Sequence, residues 1–141
     1  MRLVVDASVA VKWFLPEKLS EAADALLMGG HTISAPDLLL VEAANTFWKK
    51  TRLGEMDPAH GDEALAALTA GAIDIRPTTP LLPRALAVAR DIAHPVYDCV
   101  YLAAAEAWGA VLVTADERLC RAADDGNWKA IYSPLEQWTA T

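Results

Sequence analysis

The stretch Leu3-Val4-Val5-Asp6-Ala7-Ser8-Val9 runs from three aliphatic residues through an acid into a helix start. Three such residues are too few for a helix face, so Arg2 to Asp6 is expected to be a buried strand. A short helix from Ser8 to Leu15 should follow, stopped by Pro16. The same grammar returns late in the chain. Val111-Leu112-Val113-Thr114 reads as a strand, and Asp116 then caps a helix reaching about Asp124. A strand that feeds directly into a helix, twice, points to a parallel α/β sheet.

The intervening sequence continues the alternation. Helices are expected over Ser20–Met28, closed by Gly29-Gly30, and over Asp37–Thr51, N-capped by Asp37 and followed by Gly54. Asp57-Pro58 opens another helix running to about Thr69, and two more cover Pro83–Ile92 and Tyr97–Trp108, the last ending at Gly109. Short strands fall at Thr32–Ala35, Ile73–Arg76 and Ala130–Tyr132. No linker or repeat interrupts the pattern. The expectation is one α/β domain over 1–141, a parallel sheet with helices on both faces.

Bulk properties narrow the class. At 54% hydrophobic residues the chain is too apolar for disorder. The two cysteines, Cys99 and Cys120, form no CxxC pair and read as buried thiols of a reducing compartment. No signal peptide or membrane-spanning run is visible, so the expected setting is soluble and cytoplasmic. The net charge of −7 argues against a general nucleic-acid coat. It leaves room for a nuclease whose carboxylates are neutralised by bound cations, and for a basic protein partner.

Four acids occupy telling positions. Asp6 ends the first strand and Asp116 lies just past the fourth, where ligands bind in open α/β sheets. Asp98 opens the otherwise apolar helix Cys99-Val100-Tyr101-Leu102-Ala103. It would complement the helix dipole whatever else it does. Glu42 shares a helical stripe with Asn45, Thr46 and Lys49, a solvated face or a ligating one. If the four converge, two like charges about 4 Å apart repel by roughly 4 kcal/mol at an effective dielectric near 20. Such a cluster calls for a cation. An all-oxygen set suits Mg²⁺ or Mn²⁺, which can hold a phosphodiester oxygen and activate water. Ser8 and Thr114 accompany the acids and are candidates for phosphate or metal-bound water. The histidines His31, His60 and His94 fall in turns or at a polar helix start and build no HExxH site.

Four segments together resemble one known family. Val4-Val5-Asp6-Ala7-Ser8-Val9 with Lys12-Trp13, Glu42-Ala43-Ala44-Asn45, Tyr97-Asp98-Cys99-Val100-Tyr101-Leu102-Ala103 and Val113-Thr114-Ala115-Asp116-Glu117-Arg118-Leu119 are similar, in order and spacing, to the motifs of the PIN-domain family. Within it they resemble the VapC-type toxins of prokaryotic type II toxin–antitoxin systems. The resemblance implies a five-stranded parallel sheet and Mg²⁺- or Mn²⁺-dependent endonucleolytic cleavage of RNA that arrests translation. It also implies a homodimer held inactive by an antitoxin. Carried over, Asp6, Glu42, Asp98 and Asp116 become the catalytic and metal-binding quartet, with Ser8, Asn45 and Thr114 as supporting polar groups. Ala115 stands where the family often has a polar residue, and where some members add a further acid shortly after the fourth, Glu117 is the only nearby candidate and position 119 is leucine. Lys12, Lys49, Lys50, Arg52, Arg118 and Arg121 follow the motifs in sequence and are candidate RNA contacts, Lys12 foremost. An antitoxin segment bearing arginine or lysine is expected in an apolar groove between the helices at Ser20–Met28 and Asp37–Thr51.

Two alternatives come from other classes. A receiver-type phosphoacceptor domain needs an aspartate ending its central strand and a late lysine after a strand, but Ile73-Asp74-Ile75 ends in Arg76-Pro77 and Lys129 precedes the last strand. A non-catalytic PIN-like binding module would be expected to have gaps in the quartet, which is complete here.

Overall fold

Two aliphatic strands form the centre of the molecule. In the computed structural model, which describes residues 1–138, β1 (Arg2–Val5) and β4 (Val111–Thr114) lie parallel, with Leu3 opposite Val111 and Val5 opposite Val113. β2 (Thr32–Pro36) pairs with the other side of β1, β3 (Asp74–Arg76) with β2, and β5 (Tyr132–Pro134) with β4, all parallel. The order is β3-β2-β1-β4-β5. Residues 139–141, the end of the expected domain, lie outside the described residues.

Leu3, Val4 and Val5 are all fully buried. Successive strand side chains point to opposite faces, so β1 is covered on both. The helices are α1 (Ala7–Ala10), α2 (Ser20–Met28), α3 (Leu38–Arg52), α4 (Pro58–Leu68), α5 (Leu82–Ile92), α6 (Val96–Trp108) and α7 (Glu117–Asp125), with α1 and α6 directly against β1. α6 lies against β1, β2 and β4 and against α5. Every residue from Cys99 to Ala105 is therefore buried, the reason this helix is apolar around its whole circumference. No helix among the described residues is long and apolar enough to cross a membrane.

The strand order places the site. From β1 the chain moves outward through β2 to β3, then returns to build β4 and β5 on β1's other side. The order thus reverses between β1 and β4, and their carboxyl ends flank the crevice where this fold binds ligands. Asp6 and Asp116 follow those two strands directly.

Several local expectations are corrected. The helix expected over Ser8–Leu15 is α1 followed by a 3₁₀ turn at Val11–Trp13. Its N-cap is Asp6, which accepts from the Val9 N–H, rather than Ser8. Asp37 sits at the head of α3 without capping it. Its Oδ1 accepts from the Thr78 hydroxyl at 2.6 Å and the Thr78 N–H at 3.0 Å, and the Thr78 Oγ takes the Leu38 N–H. The last strand begins at Tyr132, where Ala130–Tyr132 was expected. α3 packs chiefly on α4, and α2 packs against the 3₁₀ turn at Val11–Trp13. Cys99 is buried but Cys120 only partly; both are unbridged, and burial pushes both thiols up to about 11, so neither is a ready nucleophile.

Candidate active site

Asp6 is the most constrained acid. It is 5% exposed, and burying a carboxylate without partners is costly. Partners come from both flanking turns. Ser8 donates its hydroxyl to Oδ1 at 2.5 Å, the Val9 N–H donates to the same oxygen at 3.3 Å, and Thr114 donates to Oδ2 at 2.5 Å. The two hydroxyls in turn accept backbone N–H groups of the turn after β4: Ser8 Oγ from Ala115 at 3.0 Å, across the crevice, and Thr114 Oγ from Asp116 at 3.0 Å. The network ties the turn after β1 to the turn after β4. Desolvation nevertheless outweighs these bonds and, with the nearby Asp116 charge, pushes the Asp6 carboxyl up to about 6.

Thr114 and Ser8 are thereby assigned. Thr114 is fully buried, and both hydroxyls are spent between Asp6 and the backbone. Both hydroxyls donate to Asp6 and accept backbone N–H groups, so both brace Asp6. Asn45 is exposed and makes no hydrogen bond to Glu42, although it lines a cavity of about 550 Å³ with Glu42, Ser8, Val41 and Tyr97. Lys12 is largely buried, with Nζ 3.7 Å from Glu17, so its charge is already partnered. Arg118 is exposed and close enough to pull the Asp98 carboxyl downward.

The other three acids each lean on a local donor. Glu42 accepts a short hydrogen bond from the Tyr101 hydroxyl. Asp98 Oδ2 lies 2.7 Å from His94 Nε2. Asp116 Oδ1 caps α7, accepting the Arg118 N–H at 2.9 Å and the Leu119 N–H at 3.3 Å. Its role at the helix start is thus real and coexists with a place at the site. Burial is the largest cause raising both Glu42 and Asp98, and the Asp116 charge adds to each. Asp98 also raises Glu42. Asp116 therefore acts on all three of the others, and one electrostatic basin joins four acids from four separate segments.

Among the described residues, no three His, Cys, Asp or Glu side chains already stand as a closed metal-binding group. The donor set still fits a hard divalent cation. It is oxygen-only, the Asp116 charge raises the other three carboxyls, and a positive charge would relieve that repulsion.

Two residues of this site were missed by the sequence reading. Tyr101 sits within an apolar run, yet it stands three residues after Asp98, on the same side of α6. His94 was set aside as a turn residue, yet it stands four before Asp98.

Comparison with known proteins adds four findings. The family model for the PIN domain matches residues 3–125. Ribonuclease VapC3 of Pyrobaculum aerophilum is 33% identical over 121 residues, 84% of this chain and 92% of that protein. The crystal structure of PAE2754 from Pyrobaculum aerophilum superposes with a TM-score of 0.74 at 26% identity, covering 97% of this chain and 85% of that one. VapBC2 from Rickettsia felis, solved bound to a DNA fragment from its promoter, shares the fold with a TM-score of 0.63 at 15% identity, covering 95% of this chain and 98% of that one.

Proposed function

The chain belongs to the PIN-domain family, and on that footing we propose that it is a metal-dependent endoribonuclease, the toxin of a type II toxin–antitoxin module that cleaves cellular RNA and arrests translation. The observation that carries this reading is that Asp6 and Asp116, past the carboxyl ends of β1 and β4, share one electrostatic basin with Glu42 of α3 and Asp98 of α6. The relative's name, a ribonuclease, supplies the substrate class. Asp6, Glu42, Asp98 and Asp116 would hold Mg²⁺ or Mn²⁺. Such an ion supplies charge stabilisation at the phosphodiester and an activated water. Ser8 and Thr114 keep Asp6 fixed in that arrangement.

The test is to map 5′ ends of cellular RNA after brief induction of the wild type and of Asp98→Asn. Discrete new ends with the wild type alone are the expected result. Equal patterns from both would defeat the reading.

The RNA strand is expected to leave the site through the groove beside α7. This cavity of about 430 Å³ is lined by Lys12, Lys18, Arg121 and Tyr132, with Glu117 and Asp124 on its walls. Lys18 and Arg121 are its exposed cations. Replacing either by alanine should raise KM several-fold with little change in kcat. Each should also lower the slope of log affinity against log salt by about one, the signature of one lost phosphate contact. An unchanged KM and salt slope would remove the groove from the RNA path.

The protein partner is assigned the other side of the site. Val41 and Trp48 of α3 and Tyr97 of α6 are 68%, 55% and 56% exposed, and the cavity beside Val41 and Tyr97 opens onto Glu42. An antitoxin segment lying along α3 would cover this apolar surface and set an arginine or lysine against Glu42 or Asp98. A homodimer is part of the same proposal.

A further inference from the structure

The residues around the quartet divide its carboxylate oxygens unequally. Tyr101 takes Oε1 of Glu42, and His94 takes Oδ2 of Asp98. Among the described residues, neither Glu42 Oε2 nor Asp98 Oδ1 receives a hydrogen bond from the protein. Asp116 follows the same rule, with Oδ1 on the amides of α7 and Oδ2 unclaimed. Each of these acids is thus held by one oxygen and offers the other.

The two holders are built into one segment. His94 precedes α6, Asp98 lies in its first turn and Tyr101 one turn on. Tyr101 is 1% exposed, in a helix buried against β1, β2 and β4. Its ring is therefore fixed, and its hydroxyl reaches from α6 to α3 across 59 positions of sequence. The His94 side chain is 9% exposed, and its carbonyl oxygen accepts the Cys99 thiol at 3.7 Å, anchoring the turn that carries it. Core packing alone would be served by phenylalanine at 101. Nothing about packing calls for a hydroxyl aimed at a carboxylate.

We propose that Tyr101 and His94 are positioning residues that each clamp one oxygen of Glu42 and Asp98, so that the remaining oxygens face the metal-binding basin in a fixed geometry. This rests on the metal-dependent reading above. Partners of this kind set ligand orientation, and losing one typically costs about 10–100-fold in metal affinity.

The test is Mn²⁺ binding to the purified full chain, followed by electron paramagnetic resonance, beside melting temperature and RNA cleavage. Tyr101→Phe keeps the ring and should melt within a few degrees of the wild type, yet bind Mn²⁺ about tenfold or more weakly. Its cleavage should fall at limiting Mn²⁺ and recover largely at saturation. His94→Ala should behave alike, while His94→Gln, whose amide can still donate to Asp98, should restore binding to within about threefold. In a Glu42→Gln background, Tyr101→Phe should cause no further loss. Wild-type affinity in both Tyr101→Phe and His94→Ala would overturn the inference and leave the metal reading standing. No Mn²⁺ binding by the wild type itself would overturn that reading, and this inference with it.

Discussion

Excess EDTA should abolish RNA cleavage by the purified protein, and added Mg²⁺ or Mn²⁺ should restore it. The reason lies in what surrounds the crevice. Asp6, Glu42 and Asp98 are all raised by burial and by the Asp116 charge. What offsets this is modest: two hydroxyls and the Val9 N–H for Asp6, the Tyr101 hydroxyl for Glu42, and the His94 imidazole with the Arg118 charge for Asp98. An anionic RNA phosphate brought to this basin meets the same sign of charge, and repulsion at contact distance is worth roughly 4 kcal/mol per pair at an effective dielectric near 20. Without a cation the site should therefore repel its own substrate. Zn²⁺ at equal concentration should restore far less activity, since the four acids supply oxygens and no thiolate. The measurement is cleavage of a defined RNA against chelator and metal, with Asp98→Asn prepared in parallel to expose any contaminating nuclease. Undiminished cleavage in excess chelator, absent from the Asp98→Asn preparation, would show that the quartet works without metal.

Legibility in the sequence follows how local each cause is. β4 matches its expected bounds, Val111–Thr114, because an unbroken aliphatic run between Gly109 and Asp116 admits one reading. β5 was displaced because its segment ends in Pro134. Proline discourages a strand in sequence, but β5 is the edge of the sheet, where a missing N–H costs nothing. Asp37 looked like a cap by position, and only the fold reveals that Thr78, 41 positions away, takes its carboxylate. The four acids could be picked out because two follow strands and the others stand out from their helices. Ser8 and Thr114 stand out by lying two residues from Asp6 and Asp116, but Tyr101 does not, since a hydroxyl donating across 59 positions leaves no mark on local spacing. His94 is different. Its spacing of four from Asp98 is a local signal that was available and passed over.

Asp6→Asn and Asp98→Asn should each lower cleavage by on the order of 10²–10³-fold or more, the scale of losing one charge that stabilises a transition state, and both should make the chain more stable in chelator near pH 7. For Asp6 the sign can be worked through. Its carboxyl is at about 6 in the folded chain against an ordinary value of 3.8. The folded state thus holds the proton more tightly, so the stability this group contributes is fully present below about pH 4 and is lost as pH rises through about 6. Above that pH the buried carboxylate is charged, and about two units correspond to an upper bound of roughly 3 kcal/mol. Asparagine never takes that charge. Its amide must, however, turn an NH₂ toward one of the hydroxyls that now donate, which returns part of the gain. The net should be about 1–2 kcal/mol, a rise of several degrees in melting temperature for a chain of this size. The advantage should shrink below pH 4, where the wild-type carboxyl is itself neutral. Asp98→Asn should gain less, because Asp98 is partly exposed and already partnered by His94. Melting curves from pH 4 to 8 in chelator check the direction, and RNA cleavage with saturating Mn²⁺ checks the role. A folded Asp6→Asn that still cleaves would move the centre of the site away from β1. One that is inactive and also less stable at pH 7 than at pH 4, relative to wild type, would mean that the hydroxyl bonds to Asp6, and not its burial, dominate its energetics.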